Sequence, residues 1–205
     1  MQPWTHLRSC LTIMLASSSL TIVSTRLHAE EAQPAATADV VATLKQMVGC
    51  FQVHFTYIED GAHDAIYPPV YERADLVSES PLTIQRTLVL GQTEQLHWSE
   101  VWAEVLPGQW QQEVTGPYGD FRYRCTAPWN LNQWSCIAKG AAKPRRDADR
   151  PYATIDRDNT LQLNTKRWVQ METNRKVTAD GKLYSVEAGW NQYDLVDPKL
   201  CVPSP

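Results

Sequence analysis

The sequence predicts an all-β protein, an antiparallel up-and-down β-barrel with one short N-terminal helix. Three observations carry the prediction. Strand-length segments recur through the middle of the chain, separated by Gly-Gln, Pro-Gly and Gly-Pro turns, as in a barrel or sandwich. The first of them alternates strictly: Phe51, Val53, Phe55 and Tyr57 share one face while Gln52, His54 and Thr56 share the other, as a half-buried strand requires. Only one stretch repeats with helical spacing, so the crossover helices of a parallel sheet are missing.

Taken in order, residues 1–29 read as a secretory signal that is removed. Arg8 supplies the cationic start, the apolar run 10–23 is shorter than the ~20 residues that span a bilayer, and Leu27-His28-Ala29 ends in the small residue a signal peptidase needs. A polar, Ala-rich flexible linker, 30–38, follows, and 39–205 forms a single β-barrel domain. Val40, Val41, Leu44, Met47 and Val48 recur at helical spacing, with Thr37 or Asp39 as the cap and Gly49 as the stop, so a short helix plugs one barrel end. After the opening strand, 59–64 is an acidic loop, and a strand at 67–77 is interrupted by Pro68-Pro69, which confines its start to an edge or a bulge. Further strands are expected at 82–90, 95–105, 109–114, 118–126 and 133–138. A polar loop at 139–150 precedes strands at 152–155, 160–164, 167–173, 176–178 and 183–193.

Export determines how the cysteines are used. Without Cys10, Cys50, Cys125, Cys136 and Cys201 remain, an even number suited to an oxidising compartment and allowing three pairings. An Asn-rich turn sits midway between Cys125 and Cys136, so a hairpin sets them opposite each other, and Cys50 then pairs with Cys201. No Cys-x-x-Cys knuckle supports a zinc site. The chain carries −4 at pH 7, and losing Arg8 and Arg26 leaves 17 basic against 23 acidic residues, a net of −6. Such mild acidity argues against a nucleic-acid partner, and after signal cleavage no stable membrane span remains. The expected location is periplasmic or secreted.

The candidate ligand-binding residues are Trp98, Glu100, Trp102, Trp110 and Trp168. Alternation puts Leu96, Trp98, Glu100 and Trp102 on one strand face and His97, Ser99, Val101 and Ala103 on the other. Two indoles flanking a carboxylate can grip a flat ligand by stacking and fix it through one polar contact. The competing arrangement is a filled barrel in which the indoles are core and Glu100 sits at the rim or pairs with Arg86, because eight-stranded barrels are usually filled by their own side chains. His54, His63 and His97, with Glu59, Asp60 and Asp64 near two of them, lack the paired spacing that preassembles a metal or acid-base site. Lys143, Arg145, Arg146 and Arg150 make a basic loop suited either to a ligand carboxylate or phosphate at the barrel mouth or to plain solvation. No serine or cysteine has the setting of a nucleophile, so no catalytic residue, metal ligand or cofactor is assigned.

Several blocks then fall in a shared order: 49–57 with Glu59; His97-Trp98 with Trp102; Gly108-Gln109-Trp110; Pro144-Arg145-Arg146; Asn159; Trp168-Val169; and Glu187-Ala188-Gly189 with Tyr193. Over 47–196 the chain resembles a family of exported bacterial proteins classed as a domain of unknown function. The resemblance implies export and fold, and no chemistry. Family members tend to carry His-Trp-Arg-Gln-Asp-Trp where this chain has His97-Trp98-Ser99-Glu100-Val101-Trp102, and Trp-Val-His-Glu where it has Trp168-Val169-Gln170-Met171. An activity resting on that arginine, aspartate and histidine would be lost or altered here. The helix-Gly-aromatic opening is also similar to lipocalin-like barrels and, more distantly, to bilin chromophore lyases, which implies an apolar or tetrapyrrole ligand.

Three functions follow from these expectations. The first is an exported lipocalin-like binding protein for a small apolar or aromatic ligand. The second, a cofactor-attaching lyase or a hydrolase, needs His97 and Glu100, which alternation puts on opposite faces, to converge through a bulge, or other polar groups to converge on the cavity instead. The third is a filled barrel that acts through its surface on a protein partner. An enclosed cavity lined by the indoles separates the first from the third.

Overall fold

A computed structural model describes residues 37–60 and 63–203, without the side chains of 37, 38 and 63–66; the expected signal and the linker up to residue 36 lie outside these residues. Helix α1 (Thr37–Leu44) takes in the last two residues of the expected linker and continues into a 3-10 turn, Lys45–Met47. Its apolar residues Val40, Leu44 and Met47 are buried in the main core cluster, so the helix plugs the end against which that core packs. Gly49 then turns the chain into the first strand with φ of +145°, and a Cβ there would stand 3.0 Å from Leu195 Cδ1.

Eleven antiparallel strands follow among the described residues: β1 (Gly49–Glu59), β2 (His63–Ile66), β3 (Val70–Glu79), β4 (Leu82–Leu90), β5 (Thr93–Leu106), β6 (Gln109–Thr115), β7 (Phe121–Asn130), β8 (Gln133–Ala142), β9 (Thr154–Leu163), β10 (Arg167–Val177) and β11 (Leu183–Leu195). β2 folds back on the end of β1 as a short side hairpin, and β3 also pairs with β1. From β3 each strand pairs with the next, and β11 returns to β1 from Phe51↔Leu195 to Glu59↔Glu187. Ten strands therefore close an up-and-down barrel, wider than the eight-stranded kind that side chains fill.

Two expected breaks are absent. The expected strands 152–155 and 160–164 merge into the single strand β9, which starts at Thr154, ends at Leu163 and runs through Asp156-Arg157-Asp158-Asn159; 167–173 and 176–178 merge into β10, which ends at Val177 and runs through Asn174-Arg175. Polar residues in those stretches alternate like any strand residues: Asn159, Glu172, Asn174 and Lys176 are buried, and Arg157 is nearly so. A run of Asp, Asn and Arg resembles a turn only while the barrel interior is assumed to be apolar.

The end nearest the helix does have an apolar interior. Trp102 meets Trp134 with ring centroids 4.9 Å apart, Trp129 stacks on Trp134 at 6.4 Å, and Phe51 approaches Trp168 edge-on at 6.1 Å. β7 and β8 share only the pairs Trp129↔Trp134 and Asn130↔Gln133. Pro128, which has no N–H to donate, stands beside the break, and Trp134 Nε1 donates to the Ala127 carbonyl at 3.1 Å. Beyond it the Cys125–Cys136 disulfide joins the two strands, Cα atoms 5.8 Å apart, and Cys50–Cys201 joins β1 to the tail; both are the pairings expected.

Loop-closure entropy ranks these links. Cys50–Cys201 spans 151 residues and Cys125–Cys136 spans 11, which corresponds to about 5 and about 3 kcal/mol of restraint on the unfolded chain. Urea unfolding should therefore show a larger loss for Cys50→Ala/Cys201→Ala than for Cys125→Ala/Cys136→Ala; the reverse order would mean that closure entropy does not set the cost.

Candidate functional site

Beyond the apolar floor the barrel holds a cavity of about 450 Å³. Phe55 and Tyr57 of β1, His97 and Trp98 of β5 and Tyr123 of β7 supply aromatic wall, and Tyr67, Tyr118, Arg145 and Arg146 line the loop end. Tyr118 is 66% exposed and Tyr67 45%, which marks that end as the mouth. Gly189 on β11 makes room for the wall, since a Cβ there would stand 2.7 Å from Glu172 Cγ and 2.9 Å from Tyr57 Cε1.

Between floor and cavity sits Arg86 of β4, 2% exposed. Its Nε donates to Glu72 Oε1 at 2.5 Å, Nη1 donates to Glu100 Oε1 at 2.9 Å, and Nη2 donates to the Tyr193 hydroxyl. The rings of Trp168 and Tyr193 lie 5.0 and 4.7 Å from its Cζ. Glu100 Oε2 accepts from Gln112 Nε2 at 2.9 Å, and Gln112 Oε1 accepts from the Tyr123 hydroxyl at 3.2 Å and from Asn159 Nδ2 at 3.3 Å. On the other side Glu72 Oε2 stands 2.7 Å from His97 Nδ1. Burial by itself raises the Glu72 carboxyl, but Arg86 and His97 hold it down at about 2. A carboxylate only accepts, so His97 Nδ1 carries the proton between them, and the ring itself lines the cavity.

A second network ties the loop 143–153 to the barrel. Arg150 grips both oxygens of Glu59 at 2.8 and 2.6 Å, and Lys143 Nζ donates to the Ala148 and Arg150 carbonyls at 2.9 and 2.8 Å. The Tyr152 hydroxyl donates to Asp147, and Lys176, 1% exposed, lies 3.0 Å from both Glu59 Oε2 and Glu187 Oε2. Burial raises the Glu59 carboxyl, but bonds from Arg150, Ser185 and Lys176 hold it at about 2. Burial also pushes the Tyr57 and Tyr123 hydroxyls above their ordinary range. Not every polar atom is filled: Arg122 Nε, Arg157 Nε, Asn174 Oδ1 and Asn191 Oδ1 are buried without a hydrogen-bond partner among the described residues, and all four residues line the cavity.

The structure divides the expected ligand-binding residues. Trp98 and Glu100 line the cavity, with Glu100 engaged by Arg86, whereas Trp102, Trp110 and Trp168 are at most 3% exposed and belong to the apolar core. The alternation expected on β5 is broken: Arg86 pairs with Trp98 and Thr87 with Leu96, which leaves His97 as the extra residue of a bulge. His97 therefore lines the same cavity as Trp98 and Glu100, not the opposite face. From the basic loop, Arg145 and Arg146 reach the cavity wall, while Lys143 and Arg150 hold the loop itself. No trio of His, Cys, Asp or Glu among the described residues is placed to hold a metal, and the side chains of His63 and Asp64 lie outside them. Arg86, Arg122, Arg157, Glu172, Lys176 and Glu187 are not among the expected ligand-binding residues. The signal that could have found Glu172, Lys176 and Glu187 is polar residues at every second position of β10 and β11.

Fold and site together define a closed antiparallel barrel with a ligand-sized cavity at one end, lined by both aromatic and charged side chains. No protein-family model matches the chain, and no curated protein matches it. The two disulfides are compatible with an extracytoplasmic protein, and no helix among the described residues is long and apolar enough to cross a membrane.

The Arg86 cluster gives a signed pH dependence. Glu72 has an ordinary value of 4.5 and about 2 in the fold, so its contribution to stability is present above 4.5 and is lost as pH falls through about 2. Glu72→Gln strips a partner from a buried cation and should cost about 3 kcal/mol in urea unfolding at neutral pH. It should also flatten the acid loss in that window; an unchanged acid profile would remove Glu72 from the account.

Proposed function

We propose that the protein is an exported binding barrel for a small, flat ligand that carries polar groups. The observation that carries this reading is the cavity of about 450 Å³, within the range of small-molecule sites. Aromatic rings from Phe55, Tyr57, His97, Trp98 and Tyr123 supply flat apolar surface, and guanidinium and amide groups stand between them. The wall supports an amphipathic ligand in place of the largely apolar one expected, because burying unfilled arginine and asparagine groups against hydrocarbon would be costly. The leader-like features of 1–29 and the two disulfides support export to the periplasm or beyond.

The neutral dye N-phenyl-1-naphthylamine tests the cavity. Its fluorescence should rise on binding, and Trp98→Leu should weaken that binding about tenfold by removing a stacking surface. Trp190→Leu, on the outer face at 48% exposure, should leave it unchanged. No binding, or equal losses in both variants, would contradict a cavity site.

A hydrolytic reading is favoured by one observation, the bulge that brings His97 into the cavity wall with Nδ1 fixed by Glu72. An imidazole held in this way has Nε2 placed to take a proton from water. Hydrolysis of 4-nitrophenyl acetate above the buffer rate, abolished by His97→Gln while N-phenyl-1-naphthylamine still binds, would favour that reading; no excess rate would leave binding alone.

A further inference from the structure

We infer that the ligand carries an oxyanion, a carboxylate or a phosphate, and that Arg122 is its seat. The inference rests on the cavity being a binding site and names the chemistry of its occupant.

Arg122 of β7 lines the cavity and is 6% exposed. A buried guanidinium is costly unless its N–H donors and its charge are met. Arg86 shows what a satisfied one looks like here, with Glu72, Glu100 and Tyr193 filling its nitrogens. Arg122 is not filled in this way. Its nearest carboxylate oxygen, Asp120 Oδ2, is 3.5 Å away, beyond the usual length of a charge-assisted bond. Nη1 reaches the Lys143 carbonyl only at 3.4 Å, and Nε has no partner among the described residues.

The surroundings add positive charge. Arg157 lies over the Tyr123 ring with its own Nε unpartnered, and Arg146 at the mouth forms no ion pair within 4.0 Å among the described residues. Burial first, then Arg157 and to a lesser degree Arg146, push the Arg122 guanidinium below its ordinary value, with Asp120 opposing them only in part. The other cavity carboxylates are already engaged: Glu100 with Arg86, Glu172 with Arg157, and Glu187 with Lys176. Asp147, which also lines the cavity, accepts from Tyr152, and Asp120 faces Arg122 at 3.5 Å without closing a bond of usual length. An acceptor for the unmet Arg122 donors is therefore best supplied from outside the protein. The Trp98 ring lies 5.6 Å from Arg122 Cζ, so a flat ligand stacked on that indole carries its acidic substituent to the guanidinium.

A matched pair of dyes tests this in the intact protein. 8-Anilino-1-naphthalenesulfonate is N-phenyl-1-naphthylamine with a sulfonate added. The wild type should bind the sulfonate about tenfold more tightly than the neutral dye, and Arg122→Gln should remove about tenfold from the sulfonate alone. Arg124→Gln, a change to an exposed pair with Glu113, serves as the control and should alter neither. Displacement of the sulfonate dye by 1-naphthoate or by 1-naphthyl phosphate assigns the oxyanion to carboxylate or phosphate. If Arg122→Gln does not fold, the comparison of the two dyes on the wild type still decides. Equal affinity for both dyes overturns the anion seat and leaves the cavity reading standing, whereas binding of neither overturns both.

Discussion

The buried guanidinium of Arg86 is the constraint on which the rest of the barrel depends. It costs heavily to desolvate unless matched, and three strands match it: β3 through Glu72, β5 through Glu100 and β11 through Tyr193. Its own strand lies between β3 and β5, while β11 reaches it from across the barrel. Trp168 and Tyr193 stack with ring centroids 3.5 Å apart next to it. One side chain thus pins four strands in register and separates an apolar floor, packed behind the helix, from a chamber lined by aromatic and charged side chains.

The same clamp accounts for the chamber's chemistry. Once Glu72 is fixed by Arg86, its second oxygen is free to orient His97, and the bulge on β5 delivers that ring to the wall. Once Glu100 is fixed, Gln112, Tyr123 and Asn159 follow in a chain around the far wall. Ten strands give the width for this. Tryptophans fill only the floor, and above it polar side chains bond to one another around space that remains open.

Much of the fold was legible because period-two alternation and turn chemistry are local. The inward face of β1, β4 to the residue, both disulfides and the helical plug were all readable. Strand breaks were placed wrongly at Asp156–Asn159 and at Asn174-Arg175 because the rule that interiors are apolar fails where a chamber is lined with Arg, Asn, Glu and Lys. Tryptophan is a good marker of burial, and so Trp102, Trp110 and Trp168 drew attention to the core instead of the cavity. Arg122 and Arg157 carried no local signal of function, since only closure of the barrel brings them to one wall. His97 needed a bulge that alternation alone cannot foresee.

The central claim is that the chamber exists to hold a small molecule. Native mass spectrometry of the protein purified gently from the cells that make it addresses this most directly. The account predicts a species heavier than the disulfide-bonded chain by a single adduct of a few hundred daltons, which is released on denaturation. A protein found only at its bare mass, in every preparation and without adduct, would contradict it.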